Sequence, residues 1–400
     1  MSAASSLAFL PPVEPDTALR VEIVSADDYR RHDAAWAALA ARAAEPNAML
    51  DPEMLAAAAA GASAQEMPVL LVWSGDRLAG VWAFARTHAP SGLPVSVLAI
   101  PFHESFSNAT PVIDRNMVEP VFNAMFDAIA NEPSLPKLVY CHGVDTSGPV
   151  MAGLRAVLEA RGTAPVILGE ARRPMMKRGE DMETYSARAM SGSRRSKLRQ
   201  LRRKLASRGS VETIVQKDAA SITTALERFM ALEAAGWKGK FGSPLLLKPE
   251  LATFARSAVL GMAARGRLEI WEMALNGATV SSLIVLRAGS RVFTWKVTYD
   301  EAHGDCSPGV LLGQDCTAAF LADDTLSFAD SAAQVDTGLF GGLWAERETM
   351  ATLMFDARRG GSTQLAFTAS AERLYRSARQ FAKVPYNALR LRLRRFAKAN

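Results

Sequence analysis

One stretch of the chain combines residue types that suit an anionic ligand: Tyr299-Asp300-Glu301-Ala302-His303-Gly304-Asp305-Cys306-Ser307-Pro308-Gly309-Val310-Leu311-Leu312. It joins a run of strand character to one of helical character. Ser307 suits a helix N-cap, Pro308 the first helical position, and Gly309 lets a ligand approach the backbone. The free N–H groups of such a first turn, with the helix dipole behind them, bind phosphate. The same three residues equally start a capped helix that binds nothing. A second stretch, Leu232-Glu233-Ala234-Ala235-Gly236-Trp237-Lys238-Gly239-Lys240, ends a helix at Gly236 and presents Trp237 and Lys238 in a glycine-rich loop. An aromatic and a cation together suit an acceptor or a cofactor; the alternative is a loop tryptophan packed back on its own domain. The third, Phe328-Ala329-Asp330-Ser331, is a strand end with an acid, followed by Leu343-Trp344-Ala345-Glu346-Arg347. Strand carboxyl ends face the ligand crevice of open α/β sheets, so Asp330 reads as a polar contact or a base. The alternative is that Asp330 caps a turn and Glu346 with Arg347 forms a surface pair.

Other chemistries lack their residues. The sequence contains no G-x-S-x-G elbow, H-E-x-x-H pair, Walker loop or G-x-G-x-x-G after a strand. His32, His88, His103, His142 and His303 are scattered, and Cys141, Cys306 and Cys316 match no metal-site or disulfide spacing. A histidine-centred triad and a metal centre are therefore not expected. Direct transfer between two bound substrates, which needs positioning and proton removal, fits better.

The elements that must position these residues follow from apolar periodicity. Asp27–Ala44 and Pro52–Ala60 read as helices, Val69–Trp73 and Leu78–Arg86 as a hairpin, Val95–Ile100 as a strand, Val118–Ile129 as a helix, Leu138–Cys141 as a strand, Met151–Arg161 as a helix and Val166–Leu168 as a last strand. The order recurs further on: strand Leu268–Leu275, an Asn276-Gly277 turn, strands Ala278–Arg287 and Arg291–Tyr299, a helix from Pro308 to Leu321 and a strand near Leu326–Ala329. Helices, an antiparallel meander, a helix and a strand, twice over, predict an α/β fold of two related domains with mixed sheets.

Length and composition agree. Four hundred residues, 49% of them apolar and 22% charged, are enough for two ordinary globular cores. The expected division is a disordered lead over 1–18, a first domain over 19–180, a second over 181–365 and a basic helical tail over 366–400. The net charge of +5 matters less than where it lies. Arg194 to Arg208 holds eight arginines and lysines and no acid, with Leu198, Leu201 and Leu205 at helical spacing. That reads as a docked helix with a basic outer face, either solvated or holding an anion. A second cluster, Arg390, Arg392, Arg394, Arg395 and Lys398, alternates with Leu389, Leu391, Leu393 and Phe396, which suits peripheral contact with anionic lipid or a docked helix end. With no spanning run and no secretory leader, a cytoplasmic protein is expected.

Taken together, the basic helix, Glu233…Gly236-Trp237-Lys238-Gly239, Phe254, Gly277, Tyr299-Asp300, Ser307-Pro308-Gly309…Leu312, Asp330-Ser331 and Leu343-Trp344…Glu346-Arg347 resemble the BioF2-like acetyltransferase domain of the GNAT superfamily, CelD-like proteins of cellulose or exopolysaccharide biosynthesis included. The resemblance is best over residues 185–350, and the first half is similar to the degenerate first domain of such proteins and of FemABX-type transferases. It implies tandem GNAT-like domains whose sheet splays to admit a pantetheine arm. It implies acyl-CoA (acetyl-CoA) as donor, no metal, and a small-molecule or glycan-precursor acceptor. Donor contacts would come from Gly304, Ser307, Pro308, Gly309, Val310 and Leu311, substrate contacts from Trp237, Lys238, Tyr299 and Trp344, and a base from Glu233 or Asp330. The loop departs from the usual Q/R-x-x-G-x-G/A, with Gly304 and Gly309 alone available. Gly341-Gly342 replaces a lysine seen in relatives. The alternatives are aminoacyl transfer from tRNA, with the basic helix on RNA phosphates, and a non-catalytic part of a polysaccharide system.

Overall fold

A sheet buried on both faces needs apolar residues at successive strand positions, and β11 and β12 below show this pattern. The computed structural model describes residues 18–61, 67–99, 106–236, 245–334, 336 and 338–396. The first half runs β1 (Leu19–Ser25), α1 (Ala26–Tyr29), α2 (Asp33–Arg42), α3 (Pro52–Gly61), β2 (Pro68–Ser74), β3 (Arg77–Ala83), β4 (Ala85–His88), β5 (Ser96–Ala99), β6 (Val112–Ile113), α4 (Val118–Asn131), β7 (Leu138–Asp145), α5 (Pro149–Ala160) and β8 (Val166–Lys177). There follow α6 (Met182–Ala189), α7 (Gly192–Ala206), β9 (Val211–Gln216), α8 (Ala219–Ala235), α9 (Pro249–Ala264), β10 (Leu268–Leu275), β11 (Ala278–Ala288), β12 (Arg291–Tyr299), α10 (Pro308–Ala322), β13 (Phe328–Asp330), β14 (Glu346–Asp356) and α11 (Thr363–Phe396). The single helix expected over Asp27–Ala44 is broken by a 3-10 turn at Arg30–His32. Residues 1–17 of the lead expected over 1–18 lie outside the described residues.

The fold is mixed α/β with a repeat. In each half an antiparallel meander leads, through a helix, to a parallel strand pair: β5 with β7 across α4, and β12 with β13 across α10. The repeats do not stay apart. β1-β2-β3-β6 form one sheet, and the other strands form a ten-stranded one in the order β4-β5-β7-β14-β8-β13-β12-β11-β10-β9. β14, late in the chain, lies antiparallel between β7 and β8 of the first half. β8 in turn pairs with β13 of the second half. Each half thus completes the other's sheet.

Helices cover both faces of the second half. Leu283 and Val285 of β11 join a core with Leu311, Cys316 and Phe320 of α10. Ile284 and Leu286 join another with Phe229 of α8 and Phe254 of α9. The second of these cores runs unbroken into Trp82, Phe122 and Phe126 of the first half. Leu198, Leu201 and Leu205 dock α7, as their spacing predicts.

Charge is buried where the halves meet. Glu45 is 4% exposed and its Oε1 accepts from the Val150 N–H at 2.9 Å. Burial pushes its carboxyl up to about 7, opposed by that bond and by Arg291. Burial also pushes Glu348 of β14 up to about 7; Arg291 opposes the shift, while Asp145, Asp330 and Glu45 add to it. Between about pH 4.5 and 7 the native state therefore holds protons that the unfolded chain has released, so stability falls as pH rises through that window. Glu45→Gln is expected to flatten this fall by on the order of 1–3 kcal/mol between pH 5 and 7.5. Urea midpoints of both proteins at the two pH values check it.

Candidate active site

The site exists because two strands part. β12 pairs with β13 only over Arg291–Phe293, while β12 continues to Tyr299. β13 stops at Asp330 because the chain turns away there: the Asp330 Oδ1 accepts from the Ala332 N–H at 2.7 Å, Ala332 has a positive φ of 50°, and the Ser331 N–H donates to the Pro174 carbonyl. Beyond that point the β12 edge faces a cavity of about 350 Å³, at the small end of the range for ligand sites. Val297, Thr298 and Tyr299 form one wall, Glu233 and Gly236 at the end of α8 another, and Gly304, Ser307, Gly309 and Val310 a third. Gly338 and Leu339 complete the lining.

The turn from Asp300 into α10 is more tightly built than the sequence implies. The Asp300 carboxylate accepts from the Ala302 N–H at 2.9 Å and starts a 3-10 turn over Glu301–Cys306. Ser307 then adopts φ 51° and ψ 54°, the left-handed region, and its side chain makes no capping bond, contrary to the expected N-cap. Its carbonyl accepts from the N–H groups of Val310 and Leu311. Pro308 has no N–H, so the Gly309 N–H is the first-turn donor outside that set, where several free donors were expected. A Cβ at Gly309 would sit 3.7 Å from Ser281 Oγ and from Tyr299 Cδ1, and one at Gly304 would have only Tyr299 Cε2 within 4 Å, at 3.8 Å. Both glycines therefore leave approach room on the cavity side. A left-handed serine costs roughly 1–2 kcal/mol, part of which glycine's extra chain entropy offsets. Ser307→Gly is therefore expected to raise stability by up to about 1 kcal/mol, seen as a higher urea midpoint at unchanged slope.

Positive charge stands behind this turn. Lys204 and Arg208, at the end of α7, both reach Asp305, and the two bonds hold its carboxyl down at about 2. Arg208 also meets His303 Nδ1 at 3.2 Å. Arg202 is paired with Asp315 of α10. The basic helix is thus clamped onto the turn by several of its own cations.

The cavity brings together Glu233, Tyr299, Gly304, Ser307, Gly309 and Val310 from the residues singled out in the sequence. Glu233 is 2% exposed, and its Oε2 accepts from the Leu245 N–H at 2.9 Å. Others stand elsewhere. Leu311 is fully buried in the core and Pro308 is buried without lining the cavity. Trp344 is 1% exposed, stacks on Phe340 at 4.1 Å and donates from Nε1 to Thr317 Oγ1 at 2.9 Å. Asp330 is 1% exposed and faces Arg173 at 3.3 Å, away from the lining residues. Trp237 and Lys238 lie outside the described residues. Val297, Thr298 and Leu339 line the cavity without having drawn notice in the sequence. The first two belong to an ordinary strand pattern, and the third to a loop with no motif.

Residues 192–330 match the family model of the acetyltransferase (GNAT) domain. Among solved structures, FemX is 12% identical over 84% of this chain and 97% of its own, with a TM-score of 0.56. The C-terminal domain of a protein from Agrobacterium fabrum assigned as a lysylphosphatidylglycerol synthetase is 11% identical over 86% of this chain and 95% of its own, with a TM-score of 0.50. No curated protein matches the sequence. The second half is therefore similar to GNAT acetyltransferase domains, and the fold as a whole is similar to that of FemX.

Proposed function

We propose that the chain transfers an acyl group from an acyl-CoA, acetyl-CoA being the simplest, to an amine or hydroxyl of a small-molecule or glycan-precursor acceptor. The observation that carries this reading is the cavity between β12 and α8, with the Ser307–Val310 turn on one wall and a buried carboxylate, Glu233, on another. The thioester would lie along β12 beyond Phe293, where its pairing with β13 has ended. The CoA phosphates would rest near the Gly309 N–H, with the dipole of α10 and the Lys204–Arg208 cluster adding positive potential. The acceptor nitrogen or oxygen attacks the thioester carbonyl, the C–S bond breaks and CoA leaves. Glu233 takes the acceptor's proton, and a backbone N–H steadies the oxyanion.

Titration calorimetry of the full chain with acetyl-CoA and a longer acyl-CoA tests the donor. One-site binding that Gly309→Leu abolishes supports the reading, because the added side chain fills room that Gly309 leaves open. No heat with either donor sinks it. An acceptor from envelope or exopolysaccharide biosynthesis rests on the motif resemblance; screening glycan precursors for CoA release identifies it. Aminoacyl transfer from charged tRNA draws on the same basic helix. It predicts RNA retention that weakens steeply with salt, while clamping of Arg202, Lys204 and Arg208 by acids leaves fewer cations for that role.

A further inference from the structure

The last helix has two apolar faces, and the body of the protein uses only one. Leu365, Thr368, Ala369 and Glu372 of α11 are buried against the sheet, where the helix packs on β8 and β14. Arg376 continues that face and reaches the Tyr140 hydroxyl. On the opposite side Phe367 is 65% exposed and Leu374 is 73% exposed, with Ala371 between them and Ala378 one turn on. Single exposed apolar residues are ordinary on a protein surface; a line of them at helical spacing is not. The helix runs on to Phe396, and the sequence continues with Phe381, Leu389 and Phe396 at spacings of seven and eight residues. The helix that carries Phe367 and Leu374 has 34 residues and is roughly 50 Å long at 1.5 Å per residue.

Charge decides what covers it. From Arg373 to Lys398 the sequence has nine arginines and lysines and no acid. Among the described side chains, Arg373 and Arg376 turn away from Phe367 and Leu374 to meet the Ile167 carbonyl and the Tyr140 hydroxyl, which gives the helix an exposed apolar side and a cationic one. A second copy of the same helix on the stripe would bring two such sets of cations together, which Coulomb repulsion opposes. No described helix is long and apolar enough to cross a membrane. A helix with exposed apolar residues at helical spacing and a strong cationic excess suits the interface plane of an anionic bilayer, with Phe367 and Leu374 between headgroups.

We propose that α11 docks the protein on anionic lipid surfaces, through the stripe that begins at Phe367 and Leu374. Docking is separate from the transfer reaction and stands whether or not acyl-CoA is the donor. The test is co-sedimentation of the full chain with vesicles of phosphatidylcholine alone and of phosphatidylcholine with phosphatidylglycerol. The expected result is pelleting with the anionic vesicles only, weakened at high salt. Phe367→Ser combined with Leu374→Ser should lower the partition coefficient about tenfold or more, since each residue contributes apolar area at the interface. Both are exposed, so the variant should keep the parent's circular dichroism and urea midpoint. Equal, weak pelleting with both vesicle types overturns the proposal, as does undiminished binding by the double variant. So does a concentration-dependent dimer in analytical ultracentrifugation that the double variant abolishes, because that assigns the stripe to a second copy.

Discussion

Glu233→Gln is expected to lower turnover by roughly 10²–10⁴-fold, the range for removing a positioned general base, while leaving the fold intact. Glutamine has the same shape, and its amide oxygen can still accept the Leu245 N–H that now donates to Glu233 Oε2. The substitution therefore removes the charge and the proton acceptor without opening a void among the residues at the end of α8. Acetyl-CoA affinity should stay within a few-fold, because the donor contacts proposed above, Ser307 and Gly309, belong to a different segment of the cavity lining. Calorimetry together with steady-state release of CoA checks both halves of the expectation. A variant that turns over normally would remove Glu233 from the chemistry and move the proton to water or to the acceptor's own groups.

Asp330→Ala is expected to cost about 3–5 kcal/mol of stability, the usual consequence of stranding a buried cation. Arg173 is 2% exposed and ties three segments together. Its Nη1 meets Asp330, its Nη2 donates to the Ser107 carbonyl at 2.6 Å, and its Nε donates to the Ala333 carbonyl at 2.8 Å. Removing the carboxylate leaves this guanidinium in the interior with two carbonyls as its hydrogen-bond partners among the described residues, and frees the Ala332 N–H that shapes the end of β13. Activity should fall with it, through the loss of folded protein and of the strand opening. Urea unfolding separates this from a catalytic role. If Asp330 were a base, an Asp330→Asn protein would unfold at the parent's midpoint and turn over slowly. Replacing both partners, Asp330→Leu with Arg173→Met, is expected to recover most of the stability, since no charge is then stranded.

The contrast between these two acids shows what was legible in the sequence. Both were marked as base candidates by the motifs around them. What separates them is a partner 157 positions away, and no local pattern in the sequence announces Arg173. Trp344 is a similar case: an aromatic in a motif reads as a contact residue until Phe340 and Thr317 are seen to enclose it. Local features fared better because their causes are local. The Asn276-Gly277 turn has both residues at positive φ, as a two-residue hairpin loop demands, and joins Leu275 to its partner Ala278. The leucine spacing of α7 fixed its buried face. Ser307 falls between: its place at a helix start was readable, but its left-handed backbone was not. That conformation comes from the 3-10 turn before it, which hydrogen-bonds the Ser307 N–H to the Gly304 carbonyl. The insertion of β14 between β7 and β8 left no trace in the sequence, because strand partners are chosen by tertiary packing.

That exchange of strands governs how the chain is made. During synthesis β7 and β8 emerge early, but the strand that separates and pairs them is made only once residue 356 is reached. At about 5–20 residues per second, the first half waits roughly ten to forty seconds with one edge of β7 and both edges of β8 open. Over that interval its apolar strand surfaces are available to neighbouring chains on the same messenger, whose own β14 could close the gap in trans. Folding of this chain is therefore expected to be sensitive to the race between elongation and intermolecular strand capture. Slowing translation between β8 and β14 should lower soluble expression, while raising the level of a chaperone that binds nascent chains on the ribosome should restore it.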